Sequence, residues 1–208
     1  MARYTLASCR LCRREGAKLF LKGTKCSGEK CPFNKRSYAP GQHGQARVKL
    51  SNYGVQLREK QKVKRIYGIF EKQFRTYFKH ASKTKGVTGQ MLLSILECRL
   101  DNVIFRMGIA VSRNDARQIV RHGHVKVNEK RVNIPSYQIR QNDAVSVGGR
   151  EKFIKKVNDT LEITKQRGMP GWIQFDPQKL SATISRLPQR EDVGFPIQEQ
   201  LIVELYSK

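Results

Sequence analysis

Residues 99 to 150, "RLDNVIFRMGIAVSRNDARQIVRHGHVKVNEKRVNIPSYQIRQNDAVSVGGR", carry the pattern from which the fold is read. Leading into it, Leu93, Leu96, Leu100, Val103, Ile104 and Met107 recur every three or four positions, which predicts a helix from about Gln90 to Met107, closed by Gly108. "SRNDARQIVRHG" predicts a second, shorter helix, with Ser112 as N-cap, Asp115 at the capping-box position and Gly123 as a left-handed stop. Ala116, Ile119 and Val120 give this helix an apolar side. Arg113, Arg117 and Arg121, four residues apart, give it a guanidinium stripe suited to phosphates. After Gly123 the period changes to two, in "HVKVN", a turn at "NEKR", "RVNI", and "AVSV" ending at Gly148 and Gly149. Two short helices feeding a small antiparallel sheet are expected over residues 98–150.

Upstream, from Val55 to about His80, Ile66, Phe70, Phe74, Tyr77 and Phe78 mark one helical stripe, with Lys62, Lys64, Arg65, Lys72 and Arg75 among the cations on the other faces. "KHASKTKGVTG" then breaks the helix. Downstream, "RGMPGWIQFDP" is irregular and "IQEQLIVELYSK" predicts a terminal helix. The expected class is α+β: a mostly helical body (51–97, completed by 151–208), an N-terminal cysteine knot with a basic loop (1–50), and the helix-and-sheet module inserted at 98–150. The segment 151–208 is expected to pack back on the body.

Charge narrows the function. Of 208 residues, 41 are Lys or Arg against 17 Asp or Glu, a net charge of +24, where solubility asks for roughly 2 to 8 of a small domain. The excess lies in the first 85 residues and implies a polyanionic partner. An aromatic content of 8% argues against a reader that stacks single-stranded bases on rings. No run approaches the ~18 apolar residues of a membrane span, and the N-terminus has no signal-peptide core, so a cytoplasmic protein without a membrane partner is expected.

Cys9, Cys12, Cys26 and Cys31, spaced Cys-x2-Cys and Cys-x4-Cys, suit a four-thiolate zinc site: each pair chelates from a tight turn and the intervening loop lets the pairs meet. Neighbouring cations are expected to favour the thiolates. An iron–sulfur cluster is the minor alternative, and disulfides suit a cytosolic chain poorly. Cys98, inside an apolar helical pattern, reads as a buried small hydrophobe. His43, in the turn "PGQHG", reads as a hydrogen-bonding loop residue rather than a fifth ligand.

The 99–150 stretch resembles the RNA-binding domain named after ribosomal protein S-four. "PGQHG", "YGIFEKQF", "LECRLDNVIFRMG" and "EQLIVELYSK" extend that resemblance over essentially the whole chain, to the bacterial small-subunit ribosomal proteins of that family, and the cysteine spacing is similar to its zinc-bearing subset. The resemblance implies binding at a multi-helix junction of small-subunit ribosomal RNA, early assembly of the subunit, contact with the fifth small-subunit protein and other subunit neighbours, a place beside the messenger RNA entry channel with an effect on decoding accuracy, and, in some members, repression of their own messenger.

A junction crowds several backbones together, so rigid cations matter more than base reading. The candidates are Arg13, Arg14, Lys18, Lys22, Lys25 and Lys30 on the knot, then Lys35, Arg36 and Arg47 in the loop. Lys62, Lys64, Arg65, Lys72 and Arg75 follow on the body, with Arg113, Arg117, Arg121, His122, His124 and Lys126 on the module. Two rival classes fare worse. Pseudouridine synthases that carry such a module have a catalytic aspartate in Gly-Arg-Leu-Asp, but here Cys98 precedes "RLD" and no catalytic domain surrounds it, so Asp101 is expected to be structural, paired with an arginine. A DNA-binding zinc protein would place a recognition helix directly behind the metal site, where this chain has a Gly/Pro loop.

Overall fold

The computed structural model describes residues 4–46 and 49–207. The chain forms two compact units, one from the segment up to Leu92 together with Phe195 onward, the other from Leu93 to Gly194.

The first unit begins with three short helices that carry the cysteines, α1 (Cys9–Glu15), α2 (Thr24–Ser27) and α3 (Pro32–Lys35). Two longer helices follow, α4 (Asn52–Ile66) and α5 (Glu71–Lys83). The single helix expected from Val55 to His80 is thus two, because the chain turns at Gly68, whose φ of 63° is a left-handed conformation that suits glycine. The turn lets α5 bring Phe74 and Tyr77 into a core with Val63, Ile66 and Ile69, all buried. The terminal helix α10 (Glu199–Tyr206) packs along α4, where Gln56 donates to Glu204 at 2.9 Å, and Tyr206 stacks on Phe78 with ring centroids 4.6 Å apart.

Glu71 holds three helices at one point. It accepts from Lys60 (2.9 Å) and Lys64 (3.1 Å) of α4 and from the Tyr206 hydroxyl of α10 (2.8 Å). Burial alone would raise its carboxyl; these three hydrogen bonds together outweigh burial and bring its pKa down to about 2. A carboxylate with a depressed folded pKa contributes stability that is complete above its unfolded value near 4.5 and lost as pH falls toward 2. The stability difference between the native chain and Glu71→Gln, from urea unfolding, is therefore expected to be greatest above pH 5 and to shrink steadily below it. A difference independent of pH would exclude this role.

α6 (Thr88–Glu97) carries the chain into the second unit. There the helix expected to run on to Met107 is broken at Cys98 and Arg99, and α7 (Leu100–Arg106) starts afresh. The break is tertiary in origin: Arg99 adopts an extended conformation and bridges Gln138, and the Cys98 carbonyl accepts from the Ile139 amide at 2.9 Å. α8 (Arg113–Arg121) follows, its Ser112 cap accepting from the Asp115 amide at 3.2 Å.

The sheet comprises β1 (Val125–Val127), β2 (Lys130–Arg131), β3 (Ala144–Val147), β4 (Ile173–Asp176) and β5 (Ser181–Ile184), antiparallel throughout in the order β2-β1-β3-β5-β4. Asn128 and Glu129, with φ of 47° and 65°, make the tight turn from β1 to β2. Alternation puts Val125, Val127, Val145, Val147, Ala182 and Ile184 in the core with Ile104, Met107, Ile119 and Val120 of the helices and fully buried Trp172. α9 (Glu151–Thr164) contributes Val157 to that core, with Phe153, Ile154 and Leu161 packed against it.

The α+β class agrees with the sequence reading, and the course of the C-terminal segment differs from it. Residues 151–194 lie in the second unit, where β5 pairs with β3 and extends the sheet, and only the chain from Phe195 returns to the helical body. Strands of four residues, one of them beside a Pro/Gly loop, carry too little periodicity to announce themselves. Among the described residues no helix is long and apolar enough to cross a membrane.

Candidate nucleic-acid interface

The cysteine segment has almost no apolar core. Leu19 is its one deeply buried aliphatic residue, at 1% exposure, while Phe20 stays exposed. Cys12, Cys26 and Cys31 are buried, Cys9 half-buried, and all five cysteines of the chain are free thiols. Backbone amides of Leu19 and Lys22 donate to the sulfurs of Cys12 and Cys26, the latter at 3.3 Å. The expectation that nearby cations lower these thiols is not met: burial raises both, and the other cysteines add to the rise. Four sulfurs in mutual electrostatic reach, two of them bonded by backbone N–H, are the right donor type for a thiophilic divalent cation, which would deprotonate them outright. As placed, no group of three or more His, Cys, Asp or Glu side chains among the described residues is arranged to hold a metal ion.

Glu15 ties this segment to the body. Its carboxylate, 1% exposed, accepts from Arg58 at 3.2 Å and from Arg65, both on α4. Burial nevertheless raises the Glu15 carboxyl, the sign of an ion pair whose desolvation rivals its attraction.

The predicted cations divide by environment. On the knot, Arg14, Lys22, Lys25, Lys30, Lys35 and Arg36 are exposed and Arg13 and Lys18 half-buried; Arg47 lies outside the described residues. On the body, Lys72 and Arg75 are exposed, Arg75 with its Nε 3.8 Å from Glu71, whereas Lys62 pairs with Glu59 (2.7 Å), Lys64 with Glu71 and Arg65 with Glu15.

On α8 the arginines do not form a solvent stripe. Arg117 is buried at 6% exposure, its Nη1 3.1 Å from Asp101 Oδ2. The same carboxylate accepts from Arg99 Nε (3.1 Å) and Nη2 (2.9 Å), which makes the structural pairing expected of Asp101. Arg113 donates to Asn102 at 2.8 Å and covers the Phe105 ring, 4.4 Å from its centroid. Arg121 alone of the three is exposed. A four-residue period tells which residues share a side of α8, not whether a buried carboxylate waits there, as Asp101 does for Arg117. Cys98 is buried with its thiol pushed up to about 12, in keeping with a packing role.

Beside Arg121 the end of the module gathers His122, Lys126, Lys130 and Arg131, all exposed, with His124 stacked on Phe153 (centroids 4.0 Å apart). Lys130 and Arg131 are not among the predicted cations; both belong to the turn "NEKR" itself, which was the available signal. Arg131 donates to the His122 carbonyl at 3.2 Å and lies over Gly123, where a Cβ would come within 2.2 Å of its guanidinium. Lys126 and Arg131 are direct cross-strand partners, a like-charge pairing that is unfavourable unless an anion bridges it.

A helix-and-sheet module whose edge carries exposed cations in no ion pair among the described residues, in a chain whose other unit is also cationic, defines the class: a nucleic-acid-binding protein. Comparison with known proteins makes the class specific. Residues 3–97 match the family described as "Ribosomal protein S4/S9 N-terminal domain", and residues 98–145 match the "S4 domain". Proteins named small ribosomal subunit protein uS4 from Citrifermentans bemidjiense, Acetivibrio thermocellus and Thermodesulfovibrio yellowstonii are 57%, 58% and 56% identical to it, each over all 208 residues and the whole of both chains. The chain belongs to the uS4 family of small ribosomal subunit proteins, a structural family and not an enzyme family.

Proposed function

We propose that this chain is a structural protein of the small ribosomal subunit that holds ribosomal RNA through phosphate contacts at a place where several helices meet, and that it acts in the cytoplasm as part of the ribosome. One observation carries the reading: both units present exposed cations that no carboxylate neutralises, Lys30, Lys35 and Arg36 on the first and Arg121, Lys126, Lys130 and Arg131 on the second, none of them in an ion pair among the described residues. Their rigid placement suits a target recognised by shape, and the family's printed name points to the small subunit. Within this reading the four knot cysteines bind one zinc ion, an iron–sulfur cluster being the minor alternative. The fifth small-subunit protein and messenger RNA near the entry channel are further partners, and early assembly and decoding accuracy are the processes served.

The test is filter binding of full-length protein to a small-subunit ribosomal RNA junction fragment and to duplex DNA at matched salt. The RNA is expected to bind at least about tenfold more tightly, with log K falling by about 0.7 to 0.9 per phosphate contacted for each decade of salt. Equal affinity for both would remove the RNA assignment.

A further inference from the structure

In the second unit a pocket of about 370 Å³ lies among residues from the end of α7, the end of α9 and β4. We propose that it binds a small apolar carboxylate, a ring or short hydrocarbon chain carrying one negative charge, and so gives the chain a ligand site separate from nucleic acid. It shares no residue with the cations that carry the RNA reading and does not rest on that reading.

The lining is largely apolar. Met107 is fully buried, Leu161 and Phe175 are half-buried, and Met169 stays 44% exposed. A methionine at the open edge can adapt to the shape of an occupant and make sulfur contact with a ring. The volume lies within the roughly 300–1,000 Å³ of small-ligand sites.

The walls are held without a ligand. α7 and α9 meet at Gly108, where a Cβ would come within 2.9 Å of Thr164 Oγ1 and 3.5 Å of Leu161 Cδ2. The Thr164 hydroxyl donates to the Gly108 carbonyl at 2.7 Å. Arg167, in the 3₁₀ turn that follows α9, donates to the carbonyls of Ala110 (3.4 Å) and Val111 (2.9 Å). Its guanidinium lies 4.3 Å from the centroid of the Phe105 ring, which Arg113 also covers.

The rim is positive and only partly neutralised. Arg106 is matched by buried Glu97, with contacts of 2.9 and 2.7 Å. Arg167 and exposed Lys165 are in no ion pair among the described residues, and Glu162 is the one acid in the lining. Burial, and after it the charge of Arg106, lower the Arg167 pKa, as expected of a guanidinium with no counter-charge at hand. Two cations against one acid suit a single carboxylate. A triphosphate or a stretch of RNA backbone would bring more charge than the rim can answer and set it against apolar groups.

The test titrates full-length protein, its methionines labelled with carbon-13 in the methyl group, with naphthoate, with uncharged naphthamide and with acetate. Met107 and Met169 line the pocket, whereas Met91 belongs to the first unit. Naphthoate is expected to shift the Met107 and Met169 signals with a Kd on the order of 0.1–1 mM and to leave Met91 in place. Naphthamide, without the charge, and acetate, without the apolar body, should each bind at least about tenfold more weakly. Lys165→Glu and Met169→Glu, both at exposed positions, should each weaken naphthoate about fivefold or more with the melting transition unchanged, and Glu162→Gln should tighten it about twofold. Lys155→Glu, exposed and outside the pocket, should change it by less than about twofold.

Naphthamide binding as tightly as naphthoate would remove the carboxylate from the assignment, and acetate binding as tightly would leave only a bare anion contact; either result overturns the site. So does a naphthoate that shifts Met91 as strongly as Met107 and Met169, or one that binds Lys165→Glu and Met169→Glu like the native chain.

Discussion

Asp101→Ala is expected to destabilise the second unit by about 3–5 kcal/mol, seen as a fall of about 10 °C or more in its melting transition. The carboxylate lies between two buried guanidiniums, with bidentate contact to Arg99 and a single contact to Arg117. Removing it deprives two positive charges, 0% and 6% exposed, of their shared counter-charge, and desolvated charges tolerate that poorly. Arg117→Ala should destabilise in the same direction and by less, since Arg99 would still hold the carboxylate. Replacing Arg99, Asp101 and Arg117 together with apolar residues of similar volume should recover much of the loss, because burying the ions has its own cost. Arg121→Ala, at an exposed position, should leave the melt unchanged and weaken RNA binding. An Asp101→Ala protein that melts like the native one would show that the network contributes nothing net.

Cys12→Ser, or removal of metal by a strong chelator, is expected to unfold the cysteine segment while the second unit keeps its melting transition. The segment has one deeply buried aliphatic residue, Leu19, and helices of seven, four and four residues, too short to persist alone. Structural zinc supplies roughly 10–16 kcal/mol in zinc-finger peptides, far more than such burial can. Elemental analysis of native protein should find about one zinc per chain and near none in the variant, and the variant should lose the cysteine segment's share of the RNA salt slope. Iron with visible absorption would replace zinc by a cluster; native protein without metal, or a variant with unchanged hydrogen exchange in the segment, would remove the metal from the argument.

Much of the fold could be read in the sequence where a local pattern met a local stop. Ser112 and Gly123 bracket α8, and the turn between β1 and β2 falls inside the expected "NEKR". The exposed knot cations were legible from charge alone, since residues 1 to 50 hold only two acids, Glu15 and Glu29, to pair with them. The failures share a cause. Gly68 broke one helix, Arg99 broke another to reach Gln138, and the four-residue strands β4 and β5 joined a sheet begun far upstream at Val125. Arg117, Lys64 and Arg65 were indistinguishable from free cations until Asp101, Glu71 and Glu15 were found beside them.

The class of partner and the family follow from composition and residue order alone, because +24 of charge, four cysteines at ligand spacing and the 99–150 pattern are properties of the linear chain. Which cations stay available is settled by packing in three dimensions. Pairing with a carboxylate depends on distance through space and on burial, and the same guanidinium that would meet a phosphate at Arg36 is, at Arg117, held inside the fold by Asp101.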